Sequence, residues 1–543
     1  MLRSSWRALA LVAPLLLWAG CSPASPSPTR DASVERSCDG VHDSTALPDT
    51  SADARETLRV GELSELVADG AGQIVGSTPI NGGERFMLLL TSLDETPRRT
   101  HAYKVTESGT QAMVMEEHPP AGRANPHRCR FTEELRRIHR SGAQILRLPR
   151  PWQAAKLPPQ LGEERPFQVG SHTITARVVR VDSVAAFWLD QTTTPRAQVH
   201  AAMLDEVAQA FANVVVPRER TYFGLESDID GDGTISVLIS PLVEEEAIAY
   251  FSPCDLVDPN LVAECFVSNQ MELLYLSPLT QTWGKYPTEM VAGILAHELS
   301  HAIYFYRKFV RNSQPAVPEN PYITEGLAAL AADLTGYGSE AASVTEVALD
   351  EVDGLSVPNL TSDAILQYAE GHDSMMRGGG YLLMRYLFDR AGGDAMDAAG
   401  KPQDRGGIAW MRAFYDSADT HGANITKTTG LSLGQLSLDF WTAVALSNRG
   451  PDQGPLNPDP RYNFLPITVD PITNQQRGCS LFTGTWPKLR GPKTQRASSA
   501  DQSIFAGGAE FLILSAGWEQ AALTLRVATA PAANARVRLI RIE

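Results

Sequence analysis

Long apolar runs are missing from almost all of this chain. Past its first twenty positions, no stretch of the 543 residues approaches the roughly 20 apolar positions that a membrane-crossing helix needs, which excludes a bundle of membrane-crossing helices. Basic charge is short as well. Lys and Arg total 47 against 63 Asp and Glu, for a net charge of -16. Without a basic stripe there is no footprint for phosphate, so nucleic acid is excluded as a partner. Cysteine is scarce, with six in all, and no two are spaced as in a zinc ribbon. The hydrophobic and charged fractions, 43% and 20%, are those of an ordinary globular chain long enough for two to four domains.

What is present begins at the amino terminus. Arg3 and Arg7 precede an apolar stretch from Ala8 to Trp18, and small residues follow, Ala19-Gly20 before Cys21. A positive head, a short apolar core and small residues make a secretory signal. Cys21 in this setting resembles the lipidation site of bacterial lipoproteins, which implies an acylated terminus holding the protein to a membrane of the cell envelope. Trp18 stands where that pattern usually has an aliphatic residue, so plain secretion is the alternative. The Ser/Pro-rich stretch Ser22 to Thr29 reads as an extended tether. Export suits disulfides: Cys254 with Cys265 is the preferred pair and Cys38 with Cys129 the next, leaving Cys479 unpaired.

The chemistry is concentrated in His297-Glu298-Leu299-Ser300-His301, inside an apolar run from Val291 to Phe309 that reads as a helix. Two histidines four positions apart on a helix lie on one face, one turn apart, and can reach a single zinc ion. Glu298 lies beside the first of them, where its carboxylate can hold and deprotonate the attacking water. Catalytic zinc takes a third protein ligand. Glu325, early in the Ala/Leu-rich segment Tyr322 to Leu334, is the choice, with Thr324 as the helix cap. An acid complementing the helix dipole is its plain structural reading.

Organisation along the chain places a signal at 1–20, a tether at 21–56, a β-rich amino-terminal domain at 57–194, a catalytic unit at 195–450, an irregular connection at 451–500 and a small β module at 501–543. The last strands of the β-rich domain, His172 to Val181 and Ala185 to Asp190, fit the catalytic sheet equally well. Segment 57–194 is also a candidate inhibitory prodomain, though no cysteine-switch signal is found. Within the catalytic unit, Asp228, Asp230 and Asp232 alternate as in calcium loops, with Gly233 at the sixth place. The twelfth place is Ile239, not a glutamate, and a strand follows. Ca2+ and a tight metal-free acidic turn are therefore both open. The strands Ile235 to Ile239 and Leu273 to Leu276 offer a sheet edge to which an extended peptide can add. Gly378-Gly379-Gly380 reads as a flexible turn or a close-packing point ahead of a helix from Tyr381 to Arg390.

The order of these segments from Val199 to Leu387 resembles the hyicolysin family of secreted neutral zinc metallopeptidases. The resemblance is carried by Tyr222-Phe223-Gly224, Asp228 to Gly233, Tyr250-Phe251-Ser252-Pro253, Ser268 to Leu276, His297 to His301, Glu325-Gly326-Leu327, Gly336-Tyr337-Gly338 and Gly380-Tyr381-Leu382. It implies an α+β zincin-type fold, with a sheet packed on the histidine helix and a mostly helical second half. It also implies Zn2+ on His297, His301 and Glu325, Glu298 as general base, and a protein or peptide substrate. Two positions depart from the family pattern. Thr324 replaces an expected asparagine, and Ala329 stands where an acid often orients a zinc histidine, with Asp333 as a possible substitute. An oxyanion donor is expected besides the metal, and Tyr381, Tyr337 and His372 are the candidates. The competing readings are a surface-anchored binding protein with a silent site and a metallohydrolase acting on something other than peptides.

Overall fold

The structure is a computed structural model that describes residues 57–111, 130–140, 156–192, 201–243, 247–278, 287–311, 317, 319–362, 373–483 and 489–543. All of them belong to one compact unit, Arg55–Glu543. Cys21, Cys38, Cys129 and His372 lie outside the described residues.

Helices and strands mix along the chain. Four strands come first: β1 (Leu63–Val67), β2 (Gln73–Pro79), β3 (Arg85–Thr91) and β4 (Thr100–Ser108). Helix α1 (Arg130–Arg140) precedes β5 (Glu164–Val169), β6 (His172–Val181) and β7 (Ala185–Asp190), and α2 (Ala201–Ala210) and α3 (Val216–Tyr222) follow. Strands β8 (Ile235–Ile239), β9 (Ala249–Phe251) and β10 (Leu273–Leu276) lead into α4 (Thr288–Phe305) and α5 (Pro321–Leu334). A helical stretch comes next, α6 (Ser339–Asp350), α7 (Val357–Thr361) and α8 (Asp373–Arg390). A ribbon of β11 (Asp394–Met396) and β12 (Pro402–Asp404) precedes α9 (Gly407–Asp416), α10 (His421–Thr429) and α11 (Leu433–Leu446). The chain closes with a second ribbon, β13 (Thr468–Val469) and β14 (Gln476–Arg477), then β15 (Gln495–Arg496), β16 (Gln502–Phe505), β17 (Ala509–Ser515), β18 (Ala522–Thr529) and β19 (Arg536–Arg541).

The two flanking β regions are not separate modules. Their strands interleave in two sheets, ordered β1-β19-β3-β17-β15 and β16-β4-β18-β2. The reason is visible in β3, which is buried at every position but its first. Phe86, Leu88 and Leu90 face the core between these two sheets, while Met87 and Leu89 face the main core of the molecule. A strand apolar on both faces needs a neighbour along each edge and cover on each side, and β17 and β19 supply the edges. Helix α11 lies against the outer side, with Trp441 Nε1 donating to the Gly507 carbonyl at 2.8 Å.

The boundary expected at residue 194 also moves. Strands β5, β6 and β7 belong to a six-stranded sheet ordered β5-β6-β7-β8-β10-β9, parallel only where β8 meets β7 and β10. Alternation divides its side chains. Phe187, Ile235, Val237, Ile239 and Leu274 join the core shared with α4, while Trp188, Leu238 and Tyr275 pack on the opposite face. The strands expected to offer an edge, β8 and β10, are interior, and the edge nearest α4 is β9.

Candidate metal centre

Helix α4 carries both histidines and is buried on every side from Leu295 to Phe305. Val291, Leu295, Leu299 and Ile303 are buried in the main core, and His297 and His301, four apart, share a face. Gly293 makes room one turn earlier, since a Cβ there would lie 2.5 Å from the Tyr337 carbonyl oxygen.

The third donor arrives on α5. Its cap is Asn320, whose side chain accepts the Tyr322 N–H at 2.8 Å, and Pro321 occupies the first helical position. The expected cap, Thr324, is inside the helix, its hydroxyl bonded to the Pro321 carbonyl at 3.0 Å. Glu325 therefore stands past the first turn, away from the end where the helix dipole rewards an acid. Helix α8 presses α5 into place through glycine. A Cβ on Gly380 would come within 2.1 Å of the Tyr322 carbonyl oxygen, and one on Gly326 within 2.4 Å of the Gly380 carbonyl carbon. The run Gly378 to Gly380 is thus a close-packing point inside a helix that begins at Asp373.

These elements bring His297, His301 and Glu325 together, each offering a ligand atom within 4.8 Å of the others. His297 Nε2 lies 3.5 Å from Glu325 Oε2, and His301 Nε2 lies 3.5 Å from Oε1. That is too long for good hydrogen bonds. It matches the spacing of about 3.4 Å between donors on a tetrahedral zinc with bonds of about 2.0–2.2 Å. Glu325 is 1% exposed and both its oxygens are buried without a hydrogen bond. Although burial opposes it, the two histidines and Arg377 hold its carboxyl well below the usual range. A buried anion facing two imidazoles is a donor set that fits zinc.

Glu298 is placed beside this set. Its Oε2 accepts the Phe251 N–H from β9 at 2.9 Å. Burial raises its carboxyl above the ordinary value, against the pull of His297 and His301, the direction that makes a carboxylate a better proton acceptor.

Two neighbours of the centre carry no local signal in the sequence. Arg377 on α8 holds its Nε 3.3 Å from Glu325 Oε2. Phe131 on α1 stacks on His301, ring centroids 4.8 Å apart and planes 17° apart. The oxyanion candidates fare differently. Tyr381 spends its hydroxyl on Asp333 Oδ2 at 3.1 Å. Tyr337 takes its electrostatic influences from Arg218, Asp470 and Glu289 rather than from the histidines, and burial pushes its hydroxyl up to about 12. Asp333 also accepts from Arg385 at 2.8 Å and from the Gly478 N–H at 2.9 Å. Its carboxylate serves that network and not a histidine of the centre.

Cys254 and Cys265 are joined as expected, and Cys479 is buried and free. No helix among the described residues is long and apolar enough to cross a membrane. No protein-family model and no curated protein sequence matches the chain.

Proposed function

We propose that this protein is an exported zinc metalloendopeptidase of zincin-type fold, resembling the hyicolysin family and tethered to the cell envelope through Cys21. His297, His301 and Glu325 would hold the metal. When bound there, zinc supplies Lewis acidity, polarising a scissile carbonyl and making water acidic near neutral pH. Glu298 takes the proton from the attacking water and returns it to the leaving amine, while the Phe251 N–H keeps its carboxylate aimed. We assign Arg377, in place of Tyr381 and Tyr337, as the donor to developing negative charge, because its guanidinium lies beside the donor set, 3.3 Å from a Glu325 oxygen.

The single observation that carries this reading is the base. A purely structural zinc site has no use for a buried carboxylate set beside its donors, and Glu298 is 4% exposed and fixed from the edge strand β9. The test compares mature protein with its Glu298→Gln variant for metal content and for cleavage of an unfolded protein such as casein. One zinc in each, with cleavage by the parent alone, supports the peptidase. Zinc in both with cleavage by neither favours the silent binding protein or a non-peptide substrate.

A further inference from the structure

Three carboxylates converge at a place separate from the histidine centre, and a fourth, that of Glu272, is bonded to the same turn. Asp228, Asp230 and Asp232 alternate along the turn before β8, and each presents an oxygen within 4.8 Å of the others. Glu272, the residue before β10, enters the same turn from another part of the chain. Its Oε1 accepts the Ile229 N–H at 2.9 Å, and its own carbonyl accepts the Ser236 N–H at 2.8 Å, which fixes its position beside β8.

Glu272 is 5% exposed and Asp232 4% exposed. Glu272 Oε2 and Asp232 Oδ2 are both buried, and neither accepts a hydrogen bond among the described residues. Ser227 is close to Glu272 but outside hydrogen-bonding geometry. Buried carboxylate oxygens with no donor are costly, and crowding them together adds repulsion. Burial, reinforced by Asp230 and Asp228, pushes the Glu272 carboxyl up to about 8. Lys156, a third exposed, pairs with Asp230 Oδ2 at 3.3 Å. That ammonium answers the rim of the cluster and leaves the two buried oxygens without a partner.

We infer that this cluster is a calcium site in which Asp228, Asp230 and Asp232 act together with Glu272, the closing carboxylate that the loop lacks at Ile239. All the donors are oxygens, which selects a hard cation over zinc. Ligands drawn from a turn and from a distant residue give the irregular, many-oxygen shell that calcium accepts and magnesium resists. The ion would clamp the turn before β8 to the start of β10. Because β10 pairs with β9, the clamp steadies the strand whose Phe251 N–H holds Glu298. The inference stands whether or not the histidine centre cleaves peptides.

The test uses zinc-loaded, calcium-stripped mature protein, with calcium chloride alone as the probe. Equilibrium dialysis and elemental analysis at about 1 mM free calcium, the range of extracellular sites, should find one calcium per chain, and the melting temperature should rise with calcium. Glu272→Gln should weaken calcium binding by about tenfold or more. Its calcium-free form should melt no lower than the parent, since glutamine imitates the uncharged acid that burial favours at this position. If Glu272→Gln fails to fold, Asp232→Asn is read in the same way. No calcium on the parent, the same rise with magnesium, or parental affinity in a folded Glu272→Gln protein would each overturn the assignment.

Discussion

The Phe131 ring lies flat on the His301 imidazole, at 4.8 Å between centroids. It comes from a helix more than 150 positions earlier in the chain and is 1% exposed. A metal-binding imidazole must keep its ring orientation, and this face-on contact holds one side of it. Phe131→Ala should cost about 3–5 kcal/mol of stability and speed zinc loss to a chelator. Zinc retention as slow as the parent's in a folded variant would show the stacking to be packing alone.

Arg377 offers a sharper separation of roles. Replacing it with Met removes a positive charge beside Glu325, so zinc should bind at least as tightly as in the parent. If the guanidinium serves the transition state, kcat should fall by about a hundredfold with KM nearly unchanged. Unchanged kcat with zinc bound would retire it as a donor and leave it a structural counter-charge.

Gly380→Ala tests how firmly α8 sets the position of Glu325. The new methyl would meet backbone at 2.1 Å, and backbone gives way poorly. Overpacking of this kind costs about 1–3 kcal/mol. The displacement should pass along α5 and lower zinc occupancy as well as the melting temperature. A variant that melts early yet keeps full zinc affinity would mean that α5 and α8 separate without moving the ligand.

Glu219 provides a dependence on pH of its own. It is fully buried, and neither carboxylate oxygen has a hydrogen bond. Burial and, next, Glu226 push its carboxyl well above the ordinary value. The folded chain therefore keeps this proton where the unfolded chain releases it, and the contribution to stability declines as pH rises from about 4.5 toward the folded value. Glu219→Gln imitates the protonated acid. Its advantage over the parent should be near zero at pH 4 and grow by about 1.4 kcal/mol per pH unit above about 4.5 until the folded value is reached. Urea unfolding at pH 4.5 and pH 8 that gave the same difference would contradict this.

The histidine helix was legible locally, because the apolar run from Val291 to Phe309 reads as a helix and a spacing of four puts His297 and His301 on one face. Glu325 was legible as an acid in a helix with few other polar groups. Its cap was misplaced, since Thr324 resembles a cap until Pro321 is recognised as the first helical residue behind Asn320. The partition into modules failed for a different reason. Strand β3 reads as a strand from its own residues, but nothing local says that its neighbours are residues 509–515 and 536–541. Arg377 and Phe131 escaped for the same reason, as each acts through a partner distant in sequence. Alternate aspartates announced the acidic turn, and only the parallel register of β8 and β10 reveals Glu272 as its companion.

The interleaving of the first and last strands sets an order of events during synthesis. The segments that bear the histidines and Glu325 are translated about two hundred residues before β17, β18 and β19 exist. Until those strands arrive, the layer opposite Phe86, Leu88 and Leu90 lacks β18, the strand that joins β4 to β2, and β3 has two open edges, a state prone to self-association. A chain that stops short by even its final thirty residues would thus keep every proposed zinc ligand and still be recognised by quality control as unfinished.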